Sequence, residues 1–259
     1  MEQWRDQGFV LSVRPHGEGG AIVAVLTENH GRHAGYVHGA QSSSKRGLLQ
    51  PGTLLSIDWR SRVADQLGSM TLEQERGLPH GILDDALKLS ALLAACALCD
   101  TALPEREGHP GLFHGFETMM NMMDQDIWGA AYIYWEIALL KELGYGLDFS
   151  KCAGGGDSKT LAYMSPRTGR AVSYAAAEPY KDKLLELPNF LKPNGGPLDE
   201  EEIYKGIKMT GHFLDQWVFA HHTKGVPDPR LRFESRYAKY VADLKDSYGQ
   251  KDDHEKRRI

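Results

Sequence analysis

Six basic side chains near the start of the sequence, Arg14, Arg32, Lys45, Arg46, Arg60 and Arg62, are the groups best suited to act on a ligand, and their chemistry is the neutralisation of phosphate. Between Val13 and Arg62 they meet only three acidic residues, Glu18, Glu28 and Asp58. The 259-residue chain carries a formal charge of −5, yet residues 1–80 balance 8 basic against 8 acidic groups, so the acidity lies beyond them. That asymmetry suits an N-terminal module facing DNA on an otherwise acidic protein. Tyr36 and Trp59 fall among these residues and are candidates for stacking on unpaired bases. Strand parity leaves open whether either ring faces solvent or core.

Other residue sets point to less. His16, His30, His33 and His38 sit in turns or at strand ends without a carboxylate motif such as His-Glu-x-x-His, which leaves a metal-dependent nuclease as a weak alternative. Gly154-Gly155-Gly156-Asp157-Ser158-Lys159 is glycine-rich but has the wrong spacing for a phosphate loop and precedes a strand, so ATP hydrolysis is not expected. Cys96 and Cys99 have Cys-x-x-Cys spacing, but Leu92-Leu93-Ala94-Ala95 before them marks two small core residues. With Cys152 they make an odd set, read as reduced thiols. No catalytic group, cofactor or metal is expected.

The elements that must position these residues change character near Pro79. Before it lie five short strand candidates: Phe9–Val13, Ala21–Leu26, His33–Val37, Thr53–Trp59 and Ser69–Glu73, separated by turn residues such as Asn29-His30-Gly31. Five strands in so short a stretch fit a small closed barrel, for which the OB-fold is the natural architecture. After Pro79 the apolar spacing is helical: a first helix from Ile82 ended by Pro104, then Leu112–Met123, Ile127–Leu143, Leu198–Trp217 and one near Glu234–Leu244. A β-hairpin, Leu161–Met164 with Arg170–Ser173, interrupts them. The fold class is therefore α+β and multidomain. Residues 1–79 form the barrel, 80–245 a mainly helical domain with a hairpin insertion at about 145–175, and 246–259 a polar, disordered tail. The opening MEQWRDQGFV has no basic and apolar leader pattern and no run is long enough to span a bilayer, so a cytoplasmic, nucleoid-associated protein without membrane contact is expected.

Two blocks of sequence resemble the RecO family of recombination mediators. The first is Gly8-Phe9-Val10-Leu11-Ser12-Val13-Arg14-Pro15-His16-Gly17-Glu18, with Thr27–Arg32 and Gly39-Ala40. The second is Leu143–Cys152 with Tyr163-Met164-Ser165-Pro166-Arg167-Thr168-Gly169-Arg170-Ala171-Val172-Ser173. The resemblance implies an OB-fold plus a helical domain, non-catalytic binding of single- and double-stranded DNA, and annealing of complementary strands. It also implies help in loading the recombinase RecA onto strands coated by single-strand-binding protein, with a RecR-like partner. The acidic, hydrophobic C-terminal tail of single-strand-binding protein would bind the helical domain, with Lys141, Arg167 or Arg170 as the cation at the pocket rim. Alternatively, the chain is a repair adaptor with little DNA affinity of its own. Two departures stand out. Many members hold zinc between two Cys-x-x-Cys pairs flanking the hairpin, whereas here Cys152 stands alone with Gly155 three residues on. The loop Ala40–Gly47 carries only Lys45 and Arg46 where the family generally has a denser basic run, and it is read as a mobile, phosphate-contacting loop.

Overall fold

The first strand, β1 (Glu2–His16), is long enough to pair with two neighbours in turn. Its later half runs antiparallel to β2 (Gly20–Thr27), and its earlier half runs antiparallel to β4 (Leu54–Ser61). Beyond β2 comes β3 (Arg32–Val37), and β5 (Gly68–Arg76) joins β3 in parallel through Gly35 and Tyr36 while pairing with β4 along its length. The order β1-β2-β3-β5-β4 closes a barrel, the five-stranded arrangement of the OB-fold, and closure leaves no long edge open. The structure, a computed structural model, describes residues 2–63 and 66–256, with side chains as far as residue 247.

Alternation fills the barrel. Val10, Val23, Val25, Leu55, Ile57, Trp59 and Met70 point inward and are buried. β2 is apolar on both faces because both are covered: Ala24 and Leu26, with Phe9, Leu11 and Leu54, turn outward into a second core that continues through the helices. The first helix to meet that face is α2 (Ala86–Ala102), started by Asp85, whose carboxylate accepts the backbone N–H groups of Leu87 and Lys88. Ala94, Ala95, Cys96 and Cys99 keep it slim, and it is buried nearly all round. Burial pushes both thiols up, away from reactive thiolate. α7 (Asp228–Lys256) packs along α2, and the bundle continues through α6 (Glu200–Phe213), which meets α7 and runs on into a π-helical turn Leu214–Val218, to α4 (Trp128–Glu142) against α6 and α3 (Pro110–Met122) against α4. The hairpin of β6 (Leu161–Met164) and β7 (Ala171–Ser173) gains a third strand, β8 (Leu185–Glu186), and leads into the short α5 (Tyr174–Ala177).

Two expectations need correction. The last helix starts at Asp228 and continues through Lys256, so residues 246–256 extend a helix where a disordered tail is expected, and 257–259 lie outside the described residues. The loop Ala40–Gly47 contains one helical turn, α1 (Ser43–Arg46).

Candidate nucleic-acid interface

Register across the barrel gathers the basic residues. Arg14 on β1 pairs with Ile22 on β2, Ile22 with Tyr36 on β3, Tyr36 with Ser69 on β5, and Ser69 with Arg60 on β4. Directly opposed residues share a face of the sheet, and this row is the outward one: Arg14, Ser69 and Arg60 are exposed and Ile22 and Tyr36 half-buried, whereas the rows on either side hold buried Val23 in one and buried Trp59 and Met70 in the other. Followed round the wall of the closed barrel at about 4.8 Å per strand, the path from Arg14 to Arg60 is roughly 19 Å. The row therefore sets two cations on either side of an aromatic ring. Arg62, exposed just past the end of β4, lies two residues along the chain from Arg60, and the row itself continues to Gln3 on β1.

Tyr36 is fixed rather than free. Its ring lies over Gly20, where a Cβ would stand 2.0 Å from the hydroxyl, so a side chain at position 20 would displace it. The edges of His16 and His38 flank it at 6.1 and 4.6 Å. The α1 segment is tied alongside: the Gln41 N–H donates to Gly19 O (3.3 Å), Lys45 Nζ to His38 O (2.6 Å) and Arg46 Nε to Gln41 O (3.1 Å). The two cations are thus anchored by one donor each, in an ordered turn beside the β1–β2 connection. Arg5, which the sequence reading passed over, is 79% exposed and pairs with Asp58 at 3.0 Å; Arg60 binds the same carboxylate at 3.0 Å. Hydrogen bonds from Arg60 and Arg5 hold Asp58 below the usual carboxylate range. Glu73 lines the same pocket, so the two arginines there face two carboxylates.

Arg32 and Trp59 do not join this surface. Arg32 Nε donates to Leu103 O at 2.8 Å and its Nη1 lies 3.5 and 3.4 Å from Asp100 and Glu105, with 16% of the side chain exposed. It ties the barrel to the end of α2, and its charge is already matched. Trp59 is wholly buried inside the barrel, because the alternation Leu55, Ile57, Trp59 faces in, so it is no stacking surface for a base.

A second feature lies in the helical half. An apolar groove of about 410 Å³ runs between α3 and α4, lined among others by Met119, Met122, Ile127, Ala131, Tyr134 and Trp135. Lys141, exposed, stands one turn beyond Ala138 at the groove's end and on the same helix face. Arg167 in the β6–β7 turn and Arg170, 3.5 Å from Asp148, are not among the residues lining it.

The residues around Cys152 do not fit zinc. Its sulfur accepts the Ser173 N–H at 3.2 Å and lies 3.3 Å from Ser173 Oγ. Burial raises the thiol, but these bonds and the N–H groups of Gly154 and Gly156 outweigh it and hold Cys152 below the ordinary thiol range. No second thiol reaches it, and among the described residues no three His, Cys, Asp or Glu side chains converge on one point.

Comparison with known proteins supplies the family. The family model described as Recombination protein O N terminal matches residues 1–74, and that described as Recombination protein O C terminal matches residues 83–225. The chain is 50% identical over 241 residues to DNA repair protein RecO of Rhodospirillum centenum, covering 92% of this chain and 95% of that one. It is 47% identical over 237 residues to the RecO of Caulobacter vibrioides (91% and 98% covered) and 41% over 249 residues to that of Rhodospirillum rubrum (93% and 99%). With an OB-type barrel, a helical half and both family models matched in order, the chain belongs to the RecO family of DNA repair proteins.

Proposed function

We propose that this protein is a non-catalytic recombination mediator that binds single- and double-stranded DNA on its barrel and anneals complementary strands. The observation that carries the reading is the outward row Arg14–Tyr36–Arg60, with the α1 segment that bears Lys45 and Arg46 tied to Gly19 and His38 and with Arg62 two residues along the chain from Arg60. Cations spaced along a row neutralise successive phosphates, and a ring between them offers a face to a base; neither reads sequence. Annealing follows from lowered repulsion between strands held at one surface, with no bond made or broken by the protein.

The α3–α4 groove accommodates the second part of the role. An acidic, hydrophobic tail such as that of single-strand-binding protein would place apolar side chains against Met119, Met122 and Trp135 and its carboxylates towards Lys141. Engagement of coated strands, with a RecR-like partner, would then help RecA to load. Fluorescence anisotropy with a labelled single strand at low salt, followed by an annealing assay, tests the reading. Tight binding without annealing would refute the mediator role, and absence of binding would favour an adaptor.

A further inference from the structure

At the end of the barrel where β1 begins, three aromatic rings form one stack. Trp59 lies parallel to Trp4 (5.4 Å, 13°), and Trp4 lies parallel to His30 (4.2 Å, 9°). His33 meets both indoles edge-on at 4.9 and 4.8 Å and keeps them from sliding. The stack runs from interior to surface: Trp59 is buried, Trp4 half-buried, and the His30 side chain 35% exposed.

Asp6 sets the orientation of the outermost ring. Its carboxylate, 2% exposed, accepts from His30 Nδ1 at 2.8 Å, from the Asn29 N–H at 2.9 Å and from the Asn29 side-chain amide at 3.0 Å. Burial alone would raise its pKa, but the bonds from His30, Asn29 and Gln7 prevail and keep it below the usual carboxylate range. One face of His30 is covered by Trp4 and its Nδ1 edge by Asp6, so the exposed part belongs to the opposite face and the Nε2 edge.

We propose that this open face of His30 is a stacking platform for one unpaired nucleobase. The proposal rests on the DNA-binding reading above and adds a subsite to it. The outward row ends at the same end of the barrel: Arg60 pairs with Gln3, the residue before Trp4, and Gln3 and exposed Arg5 point to the outer side of β1 while Trp4 pairs with inward Trp59. A strand that leaves the row over the rim of the barrel meets a ring that is already flat, backed by two indoles and fixed by a buried carboxylate, so little ordering is left to oppose stacking. Stacking on a face accepts any base.

Anisotropy titrations of the full-length protein at low salt would compare an oligothymidylate with an abasic chain of equal length. In His30→Asn the amide can keep the bond to Asp6 while the ring is lost. This variant should bind the oligothymidylate roughly fivefold or more weakly and the abasic chain as the parent does, with an unchanged salt slope. His30→Phe, which keeps a flat ring, should restore most of the preference, and thermal melts verify that both variants fold. Equal losses on both chains, or no loss on either, would overturn the platform while leaving DNA binding intact. A parent protein that binds neither chain would overturn both.

Discussion

Arg230 Nε donates to Glu136 Oε1 at 2.5 Å inside the helical half, where the two side chains are 1% and 0% exposed. The pair is completed by Arg230 Nη2 donating to Glu136 Oε2 (3.1 Å) and Ile207 O (2.7 Å), and by the Tyr132 and Thr210 hydroxyls donating to the carboxylate at 2.6 and 2.5 Å. One α7 residue thus locks α4 and α6 together. Removing the cation leaves a buried carboxylate, so Arg230→Met should cost about 3–5 kcal/mol. The double variant Arg230→Met/Glu136→Leu should cost less, since no charge is stranded, although the two hydroxyls lose an acceptor. Urea unfolding of the three proteins checks this order.

Burial of His33, with Arg106 and His30 nearby, lowers its pKa from 6.5 to about 4, and neither ring nitrogen has a partner. The folded state therefore favours the neutral ring. Its contribution is intact above pH 6.5 and is lost as pH falls towards 4, because the unfolded chain takes up the proton first. The expected loss over that window is of the order of 3 kcal/mol. Denaturant midpoints at pH 7.5 and 5 should fall less in His33→Phe than in the parent.

Replacing Lys45 and Arg46 together with Ala should weaken binding to all sequences alike and lower the slope of log affinity against log salt by about 1.4 on single strands. Arg32→Ala should leave that slope unchanged and instead lower stability by about 1–3 kcal/mol, since the Leu103 carbonyl and Asp100 lose their partner. Anisotropy across a salt series, paired with thermal melting, separates the two behaviours.

Met122→Glu, inside the groove, should reduce binding of an acidic tail peptide at least about tenfold, by charge repulsion and lost apolar contact. Lys141→Ala should have a smaller, salt-sensitive effect. Neither should change binding to a single strand. Isothermal titration with the peptide, followed by DNA anisotropy, would detect an effect of the wrong kind.

Local pattern made much of this architecture legible. The barrel strands announced themselves through β-branched runs between turns, and the acidic start Asp199–Glu202 marks α6, where the Asp199 carboxylate caps the Glu202 N–H. The alternation of Leu55, Ile57 and Trp59 against Ser56, Asp58 and Arg60 was a usable signal for an inward Trp59. What no local pattern carries is a partner distant in sequence. Arg32 looks like its neighbours until Leu103 and Asp100 fold onto it, and Asp6 gives no sign that it will hold His30. The polar stretch after residue 246 predicts a disordered tail, yet polarity excludes a buried face, not a helix continued from one.

The barrel face formed by Phe9, Leu11, Ala24, Leu26 and Leu54 is covered only by helices that come later in the chain. During translation at about 5–20 residues per second, all five strands are made before α2 and α3 exist, so a greasy surface emerges with nothing to shield it for some seconds. Nascent chains are therefore exposed to self-association in that interval, and stalled chains that have released Arg76 but not Met122 from the ribosome should recruit holdase chaperones more strongly than chains that have released both.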